Sequence, residues 1–376
     1  MMKLRACIPL LAGLITVSLV ADVTARDAAN PQLTSDTTSE HAQQLAQNTS
    51  PLTVIRNLNQ GSGVNALAFS RDGRWLAIAS TDRKIRVWNV NALLQGDERN
   101  YIRVVIDIPS ADAYATSLTF STDGQWLVTG TYNGNFRRWD LNACDARRNT
   151  CNANLLQANE YFGVDTNVSF HPSETLLAGS NYDGTITLWD WANLSVLTVL
   201  EPETGAHDGS QLEGRFSSLA FSTSGRYLTA GTHNKSITLW DFEDNFSRVL
   251  TIETDFGVET VDFSPTDEIL ASGGLQGIEL RTLNYRQRYP RVSEPFLLEN
   301  PSRVTTLLFS PDSRYLVSGD SDGTLAVWDV IDRQLVVRSD ANQSHGQSIM
   351  EVTYDPVNGF YATASVDGTV KLWQLQ

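Results

Sequence analysis

From Leu52 onward, short runs of alternating apolar and polar residues return at a fixed spacing. The first run of each unit closes on an aromatic: Phe69, Phe120, Phe170, Phe221, Phe263, Phe309 and Tyr354. Nineteen residues after these stand Trp88, Trp139, Trp189, Trp240, Thr282, Trp328 and Trp373, with no insertion in any interval. VNALAFSRDGRWLAIASTDRKIRVWNV from Val64 and VTTLLFSPDSRYLVSGDSDGTLAVWDV from Val304 show the unit in full. Alternation at period two predicts half-buried strands. Asp72-Gly73 and Asp123-Gly124 are tight-turn pairs joining the first strand to the second. Asp82, Asn133, Asp183, Asn234, Gln276, Asp322 and Asp367, six residues before the Trp position, predict the turn between the second and third strands. A fourth β-rich run follows, as in YIRVVIDI from Tyr101 and SVLTVL from Ser195.

The seventh unit lacks that fourth run, while PLTVIRNL, Pro51 to Leu58, has no unit of its own. Pairing the two closes a ring and removes the exposed edge that endangers an all-β fold. The 376 residues therefore do not require two domains, because a ring grows by adding units. The expected fold is an all-β, seven-bladed β-propeller of four-stranded antiparallel blades over residues 51–376, closed by an N-terminal strand paired with the last blade.

The N-terminus predicts export. Lys3 and Arg5 precede an apolar run, Ile8 to Ala21, too short to span a bilayer, and Val23 and Ala25 fit a cleavage site before Arg26. Residues 1–25 thus read as a signal peptide, with an uncleaved membrane anchor as the alternative, and 26–50, polar and poor in large apolar residues, as a flexible linker. The expected location is periplasmic or secreted, with no membrane span in the mature chain. In an oxidising compartment the two remaining cysteines, Cys144 and Cys151, are expected to form a disulfide. A net charge of −15 argues against nucleic acid as a partner. Five histidines without metal spacing, and no phosphate-binding loop or nucleophile elbow, predict no metal, no cofactor and no catalytic residue.

The pairs Trp139-Asp140, Trp189-Asp190, Trp240-Asp241 and Trp328-Asp329, with the turn aspartates before them, resemble the WD-repeat family. The resemblance implies a structural tetrad of His, hydroxyl, Asp and Trp. Only blade seven carries it fully, in His345, Asp367, Trp373 and a hydroxyl from Thr363 or Ser365. It also implies that ligands sit on the face built by the loops between blades and by the turns between second and third strands. The matching positions directly before the turn include Tyr132, Tyr182, His233 and Leu275. Those four residues before the closing aromatic include Asn65, Thr116, Ser217, Glu259, Thr305 and Met350, and Tyr114, Arg215 and Arg303 stand two residues further back. Tyr132, Tyr182 and His233 should form an aromatic arc, and Arg215 and Arg303 suggest an acidic or C-terminal carboxylate segment on the partner. A second candidate surface is the Arg- and Tyr-rich loop Asn284 to Arg291 after blade five. The function expected is a non-catalytic protein- or peptide-binding platform outside the cytoplasm, monomeric on its own. The competing reading is a propeller hydrolase or lactonase working from the central funnel.

Overall fold

Each repeat folds as its alternation dictates. Blade one consists of Val64–Phe69, Trp75–Ser80, Lys84–Asn89 and Ile102–Asp107, and blade two of Ala115–Phe120, Trp126–Thr131, Phe136–Asp140 and Ala153–Gln157. The computed structural model describes residues 51–97, 101–145, 151, 153–157, 166–173, 175–181, 184–201, 216–285 and 290–376. The signal peptide and linker inferred from sequence lie outside them. Residues 50–376 form a single unit of seven antiparallel sheets whose inner strands pack side by side around a ring. Blade five adds a two-residue strand, Arg291–Val292, to the usual four.

A serine that follows the closing aromatic sets the turn between first and second strands. Ser70 Oγ donates to Asp72 Oδ1 (2.6 Å) and accepts the Trp75 N–H (3.0 Å), while Gly73 takes a φ of +66°. Ser121 with Asp123 and Ser310 with Asp312 repeat the arrangement at 2.6 and 2.5 Å.

The core lies between blades. Ile85 and Val87 of blade one interleave with Leu118, Leu127 and Trp139 of blade two, and equivalent layers recur around the ring. Glycines in second strands make the approach possible. A Cβ on Gly319 would stand 2.5 Å from the Ile349 side chain of the next blade, and one on Gly231 would stand 2.4 Å from Val258.

The ring closes where the sequence places the seam. Leu52–Asn59 pairs with Thr369–Leu375 from Leu52↔Leu375 to Asn59↔Thr369, with a bulge between Val54 and Arg56. Leu52 packs with Trp373 and the blade six residues Val317 and Val327, whereas Leu58 packs with Val370, Leu372 and the blade one residues Val64 and Leu76. A disulfide joins Cys144 to Cys151 (Cα–Cα 4.3 Å) in the loop before the outer strand of blade two. Among the described residues no helix is long and apolar enough to cross a membrane.

Candidate functional site

Hydrogen bonds fix which loops share a mouth of the ring. In blades one, two, six and seven the residue before the turn donates its N–H to the carbonyl just ahead of the inner strand: Thr81 to Gly63 (2.8 Å), Tyr132 to Tyr114 (2.9 Å), Ser321 to Arg303 (2.9 Å) and Val366 to Ser348 (3.1 Å). Both kinds of position therefore open on one end of a central cavity of about 900 Å³. Tyr114, Tyr132, His233, Glu259 and Arg303 all line it. Leu275, 67% exposed, does not line the cavity. Tyr182 and Arg215 lie outside the described residues, so the aromatic arc is represented there by Tyr132 and His233.

The mouth has two contrasting sides. In blade two, Tyr114 and Tyr132 stack with ring centroids 4.9 Å apart and planes inclined by 29°. Across blades four, five and six, Glu259 Oε1 lies 3.8 Å from His233 Nδ1 and accepts from Arg303 Nη1 at 3.4 Å. Gly257 lets the blade four turn settle there, since a Cβ on it would come within 2.7 Å of the His233 carbonyl. Arg303 thus already has an anion on the neighbouring blade, which weakens the expectation of an acidic partner segment.

Most positions four before the closing aromatic belong to the scaffold. Asn65 donates to the Ala115 carbonyl (3.4 Å), Thr116 to Thr166 (3.0 Å), Ser217 to Val258 (2.5 Å) and Thr305 to Ile349 (2.5 Å). Asn167, one residue further on, reaches the Ser217 carbonyl at 2.9 Å. This polar belt ties each blade to the next. Glu259 and Met350 occupy the same row with side chains that have no hydroxyl or amide to give.

The blade seven tetrad is complete, and its hydroxyl is Thr363. Trp373 Nε1–H donates to Thr363 Oγ1 (2.8 Å), which lies 2.7 Å from His345 Nε2, while His345 Nδ1 faces Asp367 Oδ2 at 3.3 Å. Burial, more than any other influence, pushes the imidazole down to about 4, so it is neutral at neutral pH. Burial would raise Asp367, but hydrogen bonds from Thr369 and from the Gly346 N–H hold it below the usual carboxylate range.

Other blades satisfy the same space differently, in ways the repeat pattern did not single out. Buried Asp112 takes Asn135 (2.6 Å) and Arg137 in blade two; Glu279 takes Arg281 (2.8 Å) in blade five; Asn300 bridges Asp320 (3.1 Å) and Arg338 (2.6 Å) in blade six. The Arg- and Tyr-rich loop also serves the scaffold in its described part. Tyr285 stacks on Tyr227 (5.1 Å) and donates to the Asp267 carbonyl (2.6 Å). Among the described residues no group of three or more His, Cys, Asp or Glu is placed to hold a metal ion.

The family model for the WD domain, G-beta repeat, matches residues 52–89, 107–140, 156–190, 204–241, 296–329 and 339–374, more than half of the chain. The chain belongs to the WD-repeat family. Blade five, with Thr282 in the Trp position, lies in the gap between matches. Among curated WD-repeat relatives, a rice guanine nucleotide-binding protein subunit beta is 25% identical over 337 residues, covering 87% of this chain and 84% of its own. The Arabidopsis thaliana transcriptional corepressor LEUNIG_HOMOLOG is 22% identical over 83% of this chain, and Dictyostelium discoideum protein tipD is 24% identical over 83%. This WD-repeat chain spans only 35% and 47% of those two relatives' lengths.

Proposed function

We propose that the protein is an exported, non-catalytic platform that binds a protein or peptide at the mouth lined by Tyr132, His233 and Glu259. The observation that carries this reading is the mouth itself. The stacked Tyr114–Tyr132 pair lines the cavity together with His233, Glu259 and Arg303. Aromatics of this kind bury large areas at small entropic cost and dominate interface energetics. The signal-like N-terminus supports the exported part of the reading, and the family relatives support the scaffold part.

The test places a photo-crosslinking residue at Tyr132 and, separately, at Ile331, 74% exposed in the turn leading to the outer strand of blade six. Expressed in its own cells, the protein should crosslink to a partner from position 132 and not from 331. Tyr132→Ala should then weaken binding to that partner by about 1–3 kcal/mol while the fold stays intact. Crosslinks from position 331 alone would place the interface on the opposite face. Intact mass of the native chain should begin near Arg26; a chain retaining Met1 would remove the exported part only.

A further inference from the structure

Below the mouth, two carboxyl groups line the central cavity; Asp262 also ties blade five to blade six through Phe309, whereas Glu351 does not serve the ring. Glu351, on the inner strand Ile349–Tyr354 of blade seven, and Asp262, on the inner strand Val258–Phe263 of blade five, both line it. Each residue is half-buried, with its carboxyl group enclosed. Asp262 accepts the backbone N–H of Phe309 at 2.8 Å and is also held by the N–H of Phe263. Glu351 has no side-chain hydrogen bond or ion pair among the described residues.

An uncompensated carboxylate is costly in so enclosed a place. The elements packed against the Glu351 strand are the inner strands of blades one and six and the second strands of blades six and seven. Their ionisable residues are Tyr315, Asp320 and Tyr361, and Tyr354 lies on its own strand. None is a cation. Among the described residues, the other ionisable ones lining the cavity are Tyr114, Tyr132, His233, Glu259 and Arg303 at the mouth, where Arg303 is engaged by Glu259. Burial alone pushes Glu351 up to about 8, and burial pushes Asp262 up to about 7 against two backbone N–H groups. Once ionised, these carboxyls would have no cation beside them among the described residues of the packed strands.

We propose that the channel receives one cationic side chain, Lys or Arg, from the partner that docks at the mouth, with Glu351 as the anion it meets. The inference rests on the mouth reading and gives it a specificity. Three observations converge on this occupant. Glu351 is two residues into its strand, about 7 Å below the mouth, a depth suited to a long side chain. The Tyr114–Tyr132 pair at the entrance offers aromatic faces that attract cations. A net charge of −15 makes the approach of a cation favourable. Entry of the cation ionises Glu351, so docking releases a proton and tightens as pH rises toward and past 8.

The test titrates capped amino acids into the full chain, followed by NMR: N-acetyl-arginine methylamide and N-acetyl-lysine methylamide against the norleucine and glutamate equivalents. At pH 8.5 at least one cationic probe should bind at least tenfold tighter than norleucine, and at pH 6 that preference should shrink at least tenfold. Glu351→Gln should abolish the preference at both pH values; a contribution from His233 would persist in the variant and is thereby separated. Equal binding of cationic and norleucine probes at pH 8.5, tighter binding of the glutamate probe, or an unaltered preference in Glu351→Gln would each overturn the proposal. Should the variant not fold, the wild-type Glu351 carboxyl followed by 13C shift decides. Its titration midpoint should drop on saturation with the cationic probe, and an unmoved midpoint refutes the pairing. Crosslinking from position 132 without cation preference sinks this inference alone, whereas crosslinking only from 331 sinks the mouth reading while leaving the probe result standing.

Discussion

The closing strand offers the sharpest energetic test of the fold. Leu52 and Leu58 are 1% and 8% exposed and plug two different layers, one shared with blade six and one with blade one. Truncating a buried leucine to alanine costs about 2–5 kcal/mol, the transfer of the lost methyl groups plus the cavity left behind. Taking about 3 kcal/mol for each, Leu52→Ala and Leu58→Ala should each lower the melting temperature by roughly 6–12 °C, at about 2–4 °C per kcal/mol. They share no core cluster, so the double variant should lose close to the sum, about 6 kcal/mol, within a few tenths. That is a large share of the roughly 5–15 kcal/mol that stabilises a typical domain. Exposed Asn57, on the same strand, is the control, and Asn57→Ala should change little. Guanidinium unfolding followed by tryptophan fluorescence measures all four. If Asn57→Ala costs as much as either leucine, or if the double variant costs no more than one single, the strand does not clamp two layers and the closure argument fails.

Three further outcomes follow, two from the interior and one from a loop. Thr363→Val should destabilise by about 2–4 kcal/mol in chemical unfolding, because it strands Trp373 Nε1 and His345 Nε2 in the core. His345 is depressed from its ordinary 6.5 to about 4, so the folded state binds fewer protons than the unfolded one in that window. The stability it confers is full above pH 6.5 and should fall by about 2–3 kcal/mol as pH drops through 4, a loss that His345→Gln should flatten. Reducing Cys144–Cys151 reopens a loop with a separation of seven and should cost about 2–3 kcal/mol, read as a lower melting temperature with reductant and no change in Cys144→Ser/Cys151→Ser.

The frame was legible because its spacing is rigid: one interval from closing aromatic to Trp places the first three strands of each blade and the described mouth residues with them, whereas the two-residue strand Arg291–Val292 fell where a loop was expected. The polar belt was not. A threonine four before the aromatic looks the same whether it faces a ligand or the next blade's carbonyl, and only the packed neighbour distinguishes the two. The replacements for the tetrad were partly visible. Arg86, Arg137 and Lys371 stand two residues before their Trp, where a cation on a central strand demands a partner, yet Asp112 and Asp82 come from different loops. Glu351 was passed over because a lone acid in an otherwise neutral strand carries no motif. Its meaning came from the absence of a cation on every packed strand.

The closing ladder also fixes how the molecule bears load. Leu52 is paired with Leu375, so residues 51 and 376 emerge side by side at one end of an antiparallel pair. Opposed forces applied there act across the ladder and break its pairs one after another, starting at Leu52↔Leu375, instead of loading all of them in parallel. Traction between these two points would therefore peel the closing strand as a zip opens. The polar belts between the other blades lie off that line of force, and the ring would give at this seam first.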